Sequence, residues 1–332
     1  MKGTLRYLAG IAGPNGFGSR STAEQVTQHS FFPCSHLTAI ITGGTSGIGA
    51  ETARVLAKRG VRVVMAVRDM MKAEMVKERI VKENPEADIR LFEIDLSSLS
   101  SVARFCSQFL SQDLPLNILI NNAGVFSPNL EFSEEKIELT FATNFLEMLM
   151  EKMIDTAEKS GIEGRIINLS SVIHSWVKPD CFSFPKLLHP IRYNGTRAYA
   201  HSKLATILHA KALSKQLKDR NANVTINAVH PGIVKTGIIR AHKGLFTDSL
   251  FLIASKLLKS ISQGAATTCY VALSNETKGL SGKYFADCNE TNCSDLANDE
   301  SVALKLCTQS RALIHDYLDE SQKHSLLNVC LM

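Results

Sequence analysis

The chain holds eight cysteines, yet no two stand as a Cys-x-x-Cys pair. Cys288 and Cys293 come closest, and no histidine accompanies them at zinc spacing. That excludes a zinc module and a thioredoxin-type redox motif, and leaves free thiols of a reducing compartment. A run of about 18 apolar residues, the length a membrane helix needs, is also missing. The longest candidate, Leu245 to Leu258, is broken by Asp248 and Lys256. No basic segment carries interleaved aromatics, so the net charge of +5 reads as solubility and affinity for an anionic cofactor, not nucleic-acid binding. Internal repeats and low-complexity stretches are absent. Asp and Glu are missing from residues 1–23, which carry Lys2, Arg6 and Arg20. This fits part of an organelle transit pattern, while the sparse Ser and Thr fit a non-cleaved arm equally well.

What is present is ordinary for a globular protein: 332 residues, 45% hydrophobic and 21% charged. The order of element types is more informative. Ser21-Thr22-Ala23-Glu24 has capping-box spacing and predicts a short helix. Strands are expected at 37–42, 61–67, 89–94, 116–120, 165–169, 224–229 and 283–286. Helices are expected at 47–59, 70–83, 99–110, 134–160, 198–217 and, for the most part, 249–273. Residues 172–196 read as irregular, with Pro179, Pro185 and Pro190. Such alternation predicts a Rossmann-type α/β fold, a doubly wound parallel sheet in a single domain. The expected division is an N-terminal arm over 1–35, the Rossmann domain over 36–320 and a tail over 321–332.

The first strand runs into Thr42-Gly43-Gly44-Thr45-Ser46-Gly47-Ile48-Gly49. Glycines there let the backbone approach a pyrophosphate seated on the next helix N-terminus. The spacing is Gly-x-x-x-Gly-x-Gly, and a Gly-rich turn can also be only a turn. The second strand ends at Arg68, where NAD-preferring domains place an acidic residue on the ribose 2′-hydroxyl. Arg68, with Lys72 four residues on, suits a 2′-phosphate and favours NADP(H); Asp69 beside it allows a solvated arginine instead. Asn121-Asn122-Ala123-Gly124 closes the fourth strand with small residues and amides, which suit a ligand and a turn alike. Tyr199 and Lys203 lie at i and i+4 on one helical face. An ammonium there would favour the phenolate and lower the pKa of Tyr199. Ser170-Ser171 ends the preceding strand, where a hydroxyl either reaches the crevice or caps a turn.

These motifs, with His230-Pro231-Gly232, occur in the order of the short-chain dehydrogenase/reductase family, which the chain resembles over roughly residues 36–318. Arg165-Ile166-Ile167-Asn168-Leu169-Ser170-Ser171 and Gly282-Lys283-Tyr284-Phe285 resemble the retinol-dehydrogenase-like branch. Residues 17–26 resemble plant members, among them the short-chain dehydrogenase associated with the translocon of the chloroplast inner envelope. The resemblance implies Tyr199 as general acid/base and Lys203 as its partner and a ligand of the nicotinamide ribose. It implies Ser171 as the group orienting the substrate oxygen, and Asn144 as the helix asparagine supporting a water beside the lysine. Gly43, Thr45, Ser46, Gly47, Ile48 and Gly49 would line the pyrophosphate. Asp95 and Leu96 would line the adenine pocket, Asn122, Ala123 and Gly124 the adenosine side, and Pro231, Gly232, Ile233 and Thr236 the nicotinamide end. No metal is implied.

Two departures stand out against that pattern. After Asn144-Phe145-Leu146 the chain is about seven residues short of the branch, roughly 10 Å of helix. His29-Ser30-Phe31-Phe32-Pro33-Cys34 is not the usual lead-in to the first strand. The shortened helix lies beside the crevice and forms a dimer interface in many relatives, so low activity and weakened homodimer assembly are both expected consequences. Two readings follow. One is an NADP(H) oxidoreductase acting on a lipophilic carbonyl or alcohol, with Leu245, Phe246, Leu250, Phe251 and Ile253 in a lid. The alternative is an NADP(H)-binding regulatory subunit with little turnover. The resemblance implies a chloroplast location, with the cytoplasm as the alternative, and peripheral association with a membrane or translocon is expected from the resemblance alone.

Overall fold

Strands follow the apolar runs because both faces of each run are buried. The computed structural model describes residues 10–28, 34–141, 149–190, 192–234 and 258–317. Eight strands make one sheet: β1 Thr38–Thr42, β2 Arg62–Val67, β3 Ile89–Glu93, β4 Ile118–Asn121, β5 Gly164–Leu169, β6 Val224–His230, β7 Tyr284–Ala286 and β8 Asn289–Glu290. Their order is β3-β2-β1-β4-β5-β6-β7-β8. Every pairing is parallel except β7 with β8.

Alternate strand residues feed two separate cores. Ile40, Val64, Leu119, Ile166 and Ile226 face one core. That side is covered by α4 (Leu99–Leu110), α5 (Met150–Ser160), α7 (Gly195–Asp219) and α9 (Glu300–Tyr317). Ile41, Val63, Ile120, Ile167 and Val229 face the other. There lie α1 (Ala23–Thr27), α2 (Gly47–Lys58), α3 (Met70–Glu83) and α8 (Ile261–Leu273). The remaining short helix, α6 (Phe184–Leu188), sits in the Pro-rich stretch before α7. Strand order reverses at β1 and β4, which opens a crevice at their carboxyl ends.

Several elements depart from the sequence expectation. The helix expected from Glu134 begins only at 139. Glu134 and Glu135 are drawn instead to the start of α4, accepting from Ser98 Oγ at 2.7 Å and from the Leu99 amide at 2.6 Å. Carboxylates at a helix N-terminus are favoured electrostatically, and that outweighs local helical propensity. The shortened stretch after Leu146 lies outside the described residues. The helix expected over 249–273 is seen from Ile261, where Ser260 and Gln263 form a capping box. Residues 249–257 lie outside the described residues, and just before the helix Lys259 pairs with Val234. In α1 the capping box is made by Thr22 and Gln25, one residue later than expected. The helix α9 and the short strand β8 were not foreseen.

The N-terminal arm packs onto α8. Phe17 meets Tyr270 edge-on at 5.9 Å between ring centroids. Glu24 receives Arg54 at 2.7 Å and Lys58 at 2.9 Å, fastening α1 to α2.

Candidate active site

The glycine turn is shaped by close approach to β4. Gly43 has φ +69° and Gly47 has φ +54°, both in the left-handed region. A Cβ on Gly49 would lie 2.4 Å from both the Gly43 carbonyl oxygen and Asn122 Nδ2. Asn122 holds that turn: its amide donates to the carbonyls of Thr42 at 2.8 Å and Gly43 at 3.2 Å. The backbone amides of Asn122 and Ala123 both donate to Thr42 Oγ1, at 3.1 and 3.0 Å. Thr42 is thus the hub joining β1 to β4, a role the sequence reading missed. Ser46 is exposed and begins α2 without a side-chain cap bond, so the first amides of that helix stay directed out of its N-terminus.

Around this turn stand the residues at the other strand ends. Arg68 is exposed at the end of β2 and forms no ion pair among the described residues. The neighbouring Asp69 is committed elsewhere, capping α3 through the Lys72 amide at 3.0 Å and pairing with Lys72 Nζ at 2.7 Å. Asp95 follows β3, with Oδ1 accepting from the Ser97 amide at 2.9 Å and Ser97 Oγ at 2.6 Å. Leu96 packs on the core beside it. The aspartate is held in place and Arg68 is left exposed.

The second half of the site is built on β5, β6 and α7. Asn194 caps α7 by accepting from the Arg197 amide. Two hydrogen bonds lock that helix to the end of β5. Ser170 Oγ donates to the Lys203 carbonyl at 2.6 Å, and Lys203 Nζ donates to the Leu169 carbonyl at 2.8 Å. Ser171 is half-buried and caps a short 3-10 helix, its Oγ accepting from the Ile173 amide at 3.4 Å. His174 fixes the same turn. Its Nδ1 donates to the Ser171 carbonyl at 2.7 Å and its Nε2 accepts from the Ser294 amide at 3.1 Å. Tyr199 is half-buried, with Phe126 edge-on at 6.1 Å. Ser170 and His174 are positioning residues that only the fold reveals.

One electrostatic expectation needs correction. Burial pushes the Tyr199 phenol up to about 12. The Lys203 ammonium, which donates to the Leu169 carbonyl and lies 5.5 Å from the tyrosine ring centroid, does not offset that burial. Burial in turn pushes Lys203 down to about 8. The phenol therefore keeps its proton, the form that can donate to a developing alkoxide.

At the end of β6, Gly232 has φ +88° and Ile233 is exposed. Pro231 and Gly232 are half-buried beside it. Asn144 and Thr236 lie outside the described residues, as do the five apolar residues assigned to a lid.

The chain is 49% identical over 313 residues to the short-chain dehydrogenase TIC 32 B, chloroplastic, of Brassica napus, covering 92% of this chain and 97% of that relative. It belongs to the short-chain dehydrogenase family. The family pattern described as short chain dehydrogenase matches residues 37–179. Human retinol dehydrogenase 14 is 36% identical over 293 residues, covering 83% of this short-chain dehydrogenase and 86% of that protein. Among solved structures, an uncharacterized protein from Mycobacterium paratuberculosis superposes with a TM-score of 0.65 at 26% identity, covering 89% of this chain and 97% of that one. Members of the family bind nicotinamide cofactors.

Proposed function

We propose that this short-chain dehydrogenase is an NADP(H)-dependent oxidoreductase acting on a lipophilic carbonyl or alcohol. The observation that carries the reading is the protonated, half-buried Tyr199 on the same helix as Lys203, which is anchored at the end of β5. NADP(H) fits the donor set on two counts. The turn leaves no room for a side chain at Gly43 or Gly49 and holds Gly47 in the left-handed region, at a helix N-terminus. Arg68 stands exposed where a 2′-phosphate would bind, with Lys72 one helical turn on.

In this reading the turn, Ile48 and the amides of α2 hold the pyrophosphate. Asp95, Leu96, Asn122, Ala123 and Gly124 flank the adenosine, and Pro231, Gly232, Ile233 and Thr236 meet the nicotinamide end. When bound, the nicotinamide supplies or accepts the hydride. Ser171 Oγ donates to the substrate carbonyl oxygen and fixes its direction. Tyr199 Oη delivers the proton to that oxygen in reduction and removes it in oxidation. Lys203 carries positive charge beneath both groups, and Asn144 supports its link to solvent.

The substrate class rests on the rim. Val172, Trp176 and Ile233 are exposed by 48%, 70% and 49%, and they follow the adjacent strand ends of β5 and β6. The Val172 amide donates to His230 Nδ1 at 3.3 Å, which ties the two strand ends together. An apolar rim of this kind favours a lipophilic substrate. Similarity to the chloroplastic TIC 32 proteins supports a chloroplast location and, with it, a role at an envelope translocon.

The deciding experiment is NADPH binding together with NADPH-dependent reduction of a carbonyl panel, with Tyr199→Phe as control. Turnover abolished in the variant with binding retained is the expected result. Binding without any turnover in the wild type would support the regulatory reading instead, and absence of binding would overturn both.

A further inference from the structure

Outside the motifs already used, one buried charge stands out. Lys259 is 5% exposed, and its Nζ lies 2.6 Å from Asp287 Oδ1. Burying an ammonium is costly unless a partner and hydrogen bonds compensate, so the placement of both groups calls for a reason.

The lysine lies against the turn after β6. A Cβ added to Gly232 would lie 2.6 Å from Lys259 Cδ and 2.7 Å from Cε. The methylene stem therefore fills the space a side chain at Gly232 would need. The Lys259 amide donates to the Ile233 carbonyl at 2.8 Å, and Lys259 pairs in register with Val234. Backbone and side chain of one residue thus bear on three consecutive positions, 232 to 234.

Asp287 is held rigidly from the other side. It and Cys288 have φ of +52° and +62°, the two central residues of the tight β7–β8 turn. The Cys288 amide donates to Thr267 Oγ1 at 3.2 Å, pinning that turn to α8. The Asp287 carbonyl accepts from Asn289 Nδ2 at 2.7 Å. Gly264 of α8 in turn lies against both Val234 and Ile48, where an added Cβ would meet them at 2.6 and 3.2 Å.

We infer that the Lys259–Asp287 ion pair is a positioning device for the turn 231–234, setting affinity for the nicotinamide half of the cofactor while leaving the adenosine half untouched. The inference rests on the NADP(H) reading above. Without the carboxylate the ammonium must turn to solvent or lose its proton, and its stem leaves Gly232. The turn then loses its support at the end where the nicotinamide would bind. Arg68, Asp95 and the glycine turn lie at other strand ends, with no direct tie to the pair.

The test is calorimetric titration of the full chain with NADPH and, separately, with adenosine 2′,5′-bisphosphate, the adenosine half of NADP. Lys259→Ala, which removes the stem with the charge, and Asp287→Asn are each expected to weaken NADPH by about tenfold and to leave adenosine 2′,5′-bisphosphate within about twofold. The double variant is expected to lose no more than either single one, since removing both charges leaves none buried alone. Should a single variant fail to fold, the double variant carries the test by the same two-ligand comparison. NADPH affinity unchanged, or both ligands weakened alike, would overturn the inference. Wild-type protein that bound adenosine 2′,5′-bisphosphate and not NADPH would overturn it as well. If the wild type bound neither, the nucleotide reading itself would fail.

Discussion

Lys203 Nζ donates to the carbonyl of Leu169 at 2.8 Å, joining the helix of the tyrosine to the strand of the serines. The lysine is 3% exposed, and burial pushes it down to about 8. It is therefore charged below that pH and neutral above it. NADPH affinity is expected to fall as pH rises through about 8, and Lys203→Met is expected to flatten the profile. Titrations across pH 6 to 10 on both proteins decide this. A wild-type curve flat through that range would refute the assignment.

Gly49 is expected to tolerate no side chain. Its Cβ would meet the Gly43 carbonyl oxygen at 2.4 Å, which is backbone and cannot swing away. Gly49→Ala should cost about 1–3 kcal/mol of stability and reduce nucleotide affinity more than tenfold. Thermal melts and NADPH titration report the two effects separately. Unaltered binding in a folded variant would remove this turn from the site.

Arg68 is expected to set the choice between the two nicotinamide nucleotides. It forms no ion pair among the described residues, whereas Lys72 already faces Asp69 at 2.7 Å. Arg68→Ser should weaken NADPH by roughly 10- to 100-fold and leave NADH nearly unchanged. Equal loss for both nucleotides would show that the guanidinium is not reading the 2′-phosphate.

Stability is expected to decline in mild acid. Burial holds His201 and His209 at about 4 and His230 at about 3, and it lowers His174 as well. All four start from an ordinary 6.5, so below that pH the unfolded chain takes up protons that the folded one refuses. Stability is present above 6.5 and is lost progressively as pH falls towards the folded values. The slope is roughly 1 kcal/mol per pH unit for each histidine. Urea melts at pH 7 and 5 test this, and equal midpoints would contradict it.

Arg165 supports the far end of the sheet. Its guanidinium Nη1 donates to the carbonyls of Val271 at 3.1 Å and Ser274 at 2.7 Å, and to Thr277 Oγ1 at 3.0 Å, closing the C-terminus of α8. Glu163 pairs with its Nε at 3.0 Å, and both side chains are under 10% exposed. Arg165→Met leaves a buried carboxylate and open carbonyls, at a cost of about 3–5 kcal/mol. A shift in the denaturation midpoint measures it, with cofactor affinity in the folded fraction unchanged.

Local patterns in the sequence determined strands β1 to β7, the helices α2 to α4, the glycine turn and the pairing of Tyr199 with Lys203. Each depends on short-range periodicity, on glycine or on i,i+4 spacing, and those are properties of neighbouring residues. Tertiary structure decided what depends on distant partners. Glu134 and Glu135 left a helical pattern because the start of α4 offered amides 36 residues away. Asn122 acts on Gly43 across 79 positions, His174 on Ser294 across 120, and Arg165 on Thr277 across 112. The protonation of Tyr199 was misjudged for the same reason. Spacing places an ammonium near a phenol, but only burial and the Leu169 carbonyl fix which way that ammonium points.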